Sequence, residues 1–136
     1  MNIDYHTDEF TYTLRPNDII EVKTHANFDG NFQVDKVEEN LRILDDVIDK
    51  KPRTLILYFP DKYVSKAVLK KYSTPPKYIV ARAFLTTSFA SKLIGNLYLT
   101  LINRFVKDGI PSKIFSQENE AVLWLETELA MKTKEL

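Results

Sequence analysis

Leu55, Ile56, Leu57, Tyr58 and Phe59 form an unbroken apolar run held between Pro52 and Pro60. Five residues are too few for a buried helix, and a proline on either side blocks extension. The run reads as a central strand with both faces covered, so the rest of the chain has to supply two layers of cover.

The segments around it are patterned to do so. Near 9–14, Phe10, Tyr12 and Leu14 alternate with Thr11 and Thr13, the period of a half-buried strand. Arg15-Pro16-Asn17-Asp18 reads as a turn, and 19–23 returns as the second strand of a hairpin. After a loop through Phe28-Asp29-Gly30-Asn31, the residues Val34, Val37, Leu41, Leu44 and Ile48 recur at helical spacing. They predict a helix over 33–50 with Glu38, Glu39, Asp45 and Asp46 on its outer face.

Beyond the central strand, Asp61 is placed to cap a helix with Val64, Ala67, Val68 and Tyr72 inward. Lys62, Lys66, Lys70 and Lys71 point mostly outward, and Pro75-Pro76 ends the segment. Residues 78–85 form the next strand, apolar except for Arg82. Thr86, Thr87 and Ser88 are cap candidates for a long helix over 87–106. Its paired apolar positions, from Phe89 and Ala90 to Leu101 and Ile102, predict a largely buried helix. Asp108-Gly109 closes it, 112–115 is a last strand, and Ser116 caps a final helix. The resulting order, ββαβαβαβα, predicts one α/β domain over residues 1–136, a mostly parallel sheet with helices packed on it.

The absence of cysteine from the 136 residues removes disulfides, thiolate nucleophiles and cysteine-rich zinc sites, and suits a reducing, cytoplasmic setting. The polar start has no signal-peptide pattern, and no apolar stretch reaches the ~20 residues of a membrane span. Net charge is zero, yet charge is segregated: residues 62–107 hold nine basic residues and no acidic one, between two acidic blocks. Two readings of that block stand side by side. It faces an anionic partner, or it is neutralised by the acidic first and last helices, within the fold or across a homodimer. Nucleic acid is disfavoured by the lack of arginine-rich or glycine–aromatic motifs.

Residue chemistry points away from catalysis. His6 and His25, the only histidines, are expected apart on a tail and a loop, so no metal is predicted. Gly30, Gly95 and Gly109 are too far apart for a phosphate loop, and no cofactor is expected. Two candidate sites remain. One is an anion or ligand site of Asp61, Arg82, Thr86, Thr87, Ser88 and Lys92, where free helix N–H groups meet nearby cations, set against simple helix capping. The other is a partner-binding surface of Lys62, Lys66, Lys70 and Lys71. Arg82 itself is expected to face outward on a partly exposed strand; buried, it would demand a partner such as Asp61.

Ala81 and Ala83, Lys92-Leu93-Ile94-Gly95-Asn96, Pro111, Lys113 and Phe115, and Ala121, Trp124 and Leu125 form a pattern that resembles small uncharacterised bacterial STAS-like proteins. The whole element order resembles that of the STAS domain, the fold of bacterial anti-sigma-factor antagonists, and partly that of CRAL-TRIO lipid-binding proteins. In those antagonists the turn after the third strand carries a phosphorylated serine or threonine. Here that turn is Pro60-Asp61-Lys62-Tyr63-Val64-Ser65, with lysine and tyrosine in place of small hydroxyl residues. The resemblance implies a non-enzymatic regulatory or scaffolding module acting by protein–protein interaction, without that phosphorylation switch. The alternative is a carrier of a small amphipathic or anionic ligand, bound beside the long helix among Phe89, Leu93, Leu97 and Tyr98, with Lys92 or Arg82 meeting its polar head.

Overall fold

A computed structural model describes residues 1–107 and 109–134. Six strands form one mixed sheet: β1 (Ile3–His6), β2 (Phe10–Leu14), β3 (Ile19–Thr24), β4 (Arg53–Tyr58), β5 (Ile79–Leu85) and β6 (Ser112–Phe115). They lie side by side in chain order. β1, β2 and β3 pair antiparallel, and β3 through β6 pair parallel. A 3-10 turn (Val34–Lys36) leads into α1 (Val37–Ile48), followed by α2 (Lys66–Lys71), α3 (Phe89–Phe105) and α4 (Glu118–Lys134).

This corrects the expected order and the mostly parallel sheet. A strand precedes the hairpin, because Ile3 and Tyr5 pair opposite Leu14 and Tyr12 and so extend the antiparallel edge. His6 therefore stands on a strand and not in a tail, 5.1 Å from His25 ring to ring. No cluster of three metal-ligating side chains occurs among the described residues. None of the described helices is long and apolar enough to cross a membrane.

Side-chain alternation along the strands divides the core into two layers. Ile20, Val22, Leu55 and Phe84 face the crossover helices, packing on Leu44 and Val47 of α1, Val68 and Leu69 of α2, and Ile94, Tyr98 and Leu101 of α3. Ile19, Ile56, Ala81, Ala83 and Leu85 face the other way, onto Ala121 and Leu125 of α4. The small side chains of Ala81, Ala83 and Ala121, all fully buried, allow α4 to lie close on the sheet. β4 is thus covered on both faces, as its apolar run requires. Gly95 serves α3 in the same way: a Cβ there would stand 3.1 Å from Thr86 Cγ2.

The helix ends depart from expectation. α2 starts at Lys66, capped by Ser65, whose Oγ accepts from Val68 N–H at 3.2 Å; Asp61 lies outside it. Ala67 is exposed and Leu69 takes its inward place. The apolar stripe of α3 is half covered: Ile94, Tyr98, Leu101 and Ile102 are buried, while Phe89 is 79% and Leu93 56% exposed. α3 flanks β6, the last strand of the sheet, so its outer side meets no further layer. Of the expected closing pair after α3, Asp108 lies outside the described residues.

Candidate functional site

Between the sheet and the crossover helices lies a cavity of about 100 Å³. Tyr12 of β2, Leu55 and Leu57 of β4 and Arg82 of β5 form its sheet side. Leu44 of α1, Val68 of α2, Tyr72 just beyond it, and Ile94 and Tyr98 of α3 form its helix side. Aromatic contacts stiffen the wall. Phe10 stacks on Phe32 at 5.1 Å, and Phe84 lies 5.1 Å from Tyr98 and 5.3 Å from Phe59.

One asparagine fixes the tyrosines at the α1 end. Asn40 Nδ2 donates to Glu9 at 2.8 Å and to the Tyr72 hydroxyl at 2.9 Å, while the Tyr12 hydroxyl donates to the Asn40 carbonyl at 2.9 Å. Glu9, itself buried, also accepts from Gln33 N–H at 3.0 Å. Burial, with the Glu9 charge nearby, raises both the Tyr12 and Tyr72 hydroxyls well above the usual phenol range.

Arg82 is the largest fully buried side chain, 1% exposed, which overturns its expected outward position. A β-bulge explains why. Between β4 and β5 the pairing steps from Arg53 with Ile79 to Leu55 with Arg82, so β5 spends one extra residue. Ile79 and Arg82 consequently both face the crossover helices, although an odd spacing along a regular strand would set them on opposite faces.

The expected partner of a buried Arg82 was Asp61, and it is elsewhere. Arg82 Nη1 donates to the Tyr98 hydroxyl at 3.3 Å and the Tyr72 carbonyl at 3.4 Å, and Nε donates to Ser112 Oγ at 3.4 Å. These are long, neutral contacts. Nη2 has no acceptor among the described residues, and no carboxylate is among those lining the cavity. Burial lowers the guanidinium's pKa, partly offset by Tyr98, but an arginine stays charged. Burial likewise pushes the Tyr98 hydroxyl up to about 12, with Arg82 working in the opposite direction.

Arg53 shows what a matched buried arginine looks like in the same sheet. Its Nε donates to the Ile48 carbonyl at 2.9 Å, and Nη1 meets Asp18 at 2.6 Å.

The other residues of the expected anion site gather away from Arg82. Thr86, Thr87, Ser88 and Lys92 line a shallower cleft with Phe89, Ile114, Phe115 and Ser116. The N–H groups of Thr87 and Ser88 both donate to Ser91 Oγ, Ser91 N–H donates to Ser88 Oγ, and the Ser88 hydroxyl donates to Asp61. These groups form a capping box closed by a carboxylate, so the capping reading accounts for them and an anion would meet the Asp61 charge.

Of the expected partner-binding lysines, Lys62 is committed within the fold. Its Nζ donates to the Asp29 carbonyl at 2.8 Å, and its stem lies on Gly30, whose φ of +87° is strained for any residue with a side chain. Lys66, Lys70 and Lys71 are exposed on α2, and Lys70 sits over the Phe105 ring at 4.5 Å. Among the described residues, the ion pairs involve Arg15, Lys23, Lys36 and Arg53, none from the basic block. Among the described residues of the chain, the block makes no ion pair with the acidic helices. For the expected carrier site beside α3, Tyr98 lines the cavity, whereas Phe89, Leu93 and Leu97 are exposed and do not line it. Sequence reasoning did not name Tyr72, Ser112 or Leu57 as site residues; helical spacing marked Tyr72 as inward and the apolar run marked Leu57 as buried, while nothing local marked Ser112.

Compared with known protein families, residues 61–129 match the model of a domain of unknown function. The match takes in Tyr72, Arg82 and Tyr98 of the cavity lining, with Ser112 behind Arg82, and leaves the lining from β2 and β4 outside it. No curated protein and no solved structure matches the chain.

Proposed function

The chain belongs to the DUF7793 family, and on that footing we propose that it is a non-catalytic binding protein for a small amphipathic molecule, held between the sheet and its three crossover helices. One observation carries this reading. An apolar cavity contains a charged guanidinium that the surrounding protein leaves partly unmatched. Burying such a charge costs several kcal/mol, and a bound acceptor in the cavity would supply the missing partner.

The reading is tested with uncharged apolar probes, which sense the cavity whatever the polar head. Benzene and 1-hexanol are titrated into the protein and followed by amide and side-chain NMR. Saturable shifts at Leu57, Val68 and Tyr98 support it, and shifts spread over the surface or absent from these residues refute it. A native mass spectrum of freshly purified protein, set against its denatured mass, reports any retained small molecule.

A second reading makes the chain a STAS-like regulatory or scaffolding module that engages a protein partner through α2. The exposed, unpaired Lys66, Lys70 and Lys71 favour it, together with Tyr63, 80% exposed beside them. α2 also carries Val68 and Leu69 on the cavity wall, so the same six-residue helix borders the ligand on one side and solvent on the other. Reversing the three charges to glutamate should abolish partner capture or self-association; undiminished association would exclude this surface.

A further inference from the structure

We propose that the ligand's head is a single carboxylate seated on Arg82 Nη2, and that its tail is a short apolar chain of about four to six carbons. This rests on the binding reading above and adds the chemical class to it.

The head follows from the donors on offer. Arg82 is the one charged side chain lining the cavity among the described residues. A cationic head would be repelled by it, and a neutral head would leave its charge uncompensated. The hydroxyls of Tyr98 and Tyr12 are already engaged, donating to the Tyr72 and Asn40 carbonyls. The Tyr72 oxygen accepts from Asn40, so among the described residues its own hydrogen joins the two of Nη2 as donors open to a ligand. A phosphate monoester brings up to two charges, of which the single guanidinium offsets one. A carboxylate brings one charge, and its two oxygens are few enough for the Nη2 hydrogens and the Tyr72 hydroxyl to satisfy.

The tail follows from size and lining. The cavity holds about 100 Å³, somewhat less than the ~150 Å³ apolar cavity that admits benzene. Its walls of Phe10, Leu44, Leu57, Val68 and Ile94 are aliphatic and aromatic. A long-chain fatty acid exceeds that volume, and acetate leaves most of it unfilled.

The experiment compares heads on one tail, using the full chain. Sodium hexanoate, 1-hexanol and hexyl phosphate are titrated into the wild type, Arg82→Met and Arg82→Lys by calorimetry and NMR. Hexanoate is expected to bind about ten- to a hundred-fold tighter than 1-hexanol, the range of one hydrogen bond to a charged group. Arg82→Met should lose that difference while still binding 1-hexanol, and Arg82→Lys should retain part of it. If Arg82→Met does not fold, the wild-type ratio and the lysine variant decide. Equal binding of hexanoate and 1-hexanol overturns the carboxylate head and leaves the cavity reading standing. Tighter binding of hexyl phosphate overturns the carboxylate in favour of a phosphate. Failure of all three probes removes the ligand class and the binding function together.

Discussion

Replacing Arg82 with methionine should make the ligand-free protein more stable. The guanidinium is buried with one nitrogen unmatched and three contacts of 3.3–3.4 Å to neutral oxygens. Its desolvation costs several kcal/mol, and long bonds to neutral groups return only about 1 kcal/mol each. Methionine fills a similar volume with a flexible apolar chain. It strands no partner, because Tyr98 still donates to the Tyr72 carbonyl and Ser112 to the Ile110 carbonyl. The expected gain is about 1–3 kcal/mol. At a urea m-value of about 1.5 kcal/mol/M, that moves the unfolding midpoint up by roughly 1–2 M with unchanged slope. Arg53→Met is the control of opposite sign. It removes two short bonds and should cost about 2–4 kcal/mol. A loss of more than about 1 kcal/mol in Arg82→Met would refute the reasoning, since Arg82 would then be net stabilising without any ligand.

Gly95→Ala gains about 1 kcal/mol of helix propensity but drives a methyl to 3.1 Å from Thr86 Cγ2, so thermal unfolding should show no gain and a loss of up to ~2 kcal/mol. Ser65→Ala should cost about 1 kcal/mol by removing the α2 cap, and Asp61→Ala less; the reverse ranking in urea unfolding would restore Asp61 as the cap. Glu118 is held below the usual carboxylate range by the Tyr58 hydroxyl, then by Arg15. A depressed carboxylate stabilises the fold above its ordinary pKa and loses that contribution as pH falls through its folded value. Glu118→Gln should therefore cost at most ~1 kcal/mol at pH 7, given its half-exposed side chain, and the difference from wild type should shrink as pH falls below the ordinary carboxylate range and close once Glu118 protonates in the fold. A difference that stays constant through acid titration would contradict this.

The strands that pack were legible because each presents one apolar face or two. β1 was not, since Ile3 and Tyr5 are too few to set a period, and its residues are exposed or half-buried. Arg82 was misplaced because burial cost alone argues for solvent, and the bulge that turns it inward leaves no mark on composition. Thr86, Thr87 and Ser88 were ambiguous for a different reason. The residue types that cap a helix are also those that bind an anion there, and only the positions of Ser91 and Asp61 decide between them. The cavity was legible only at Tyr98 and Arg82, because its other walls come from positions as distant as Phe10 and Val68, joined by the fold and by no motif.

The strand order of the sheet repeats the order of the chain, and this has a consequence for how the domain is made. During synthesis each new strand finds its neighbour already laid down, so the sheet grows by accretion at a single edge. The cavity wall is complete once α3 has emerged, whereas Ile56, Ala81 and Ala83 stay bare until α4 arrives from the C-terminal end. The two layers are therefore separable in principle: a chain without α4 keeps every residue of the pocket wall but bares the apolar back of the sheet.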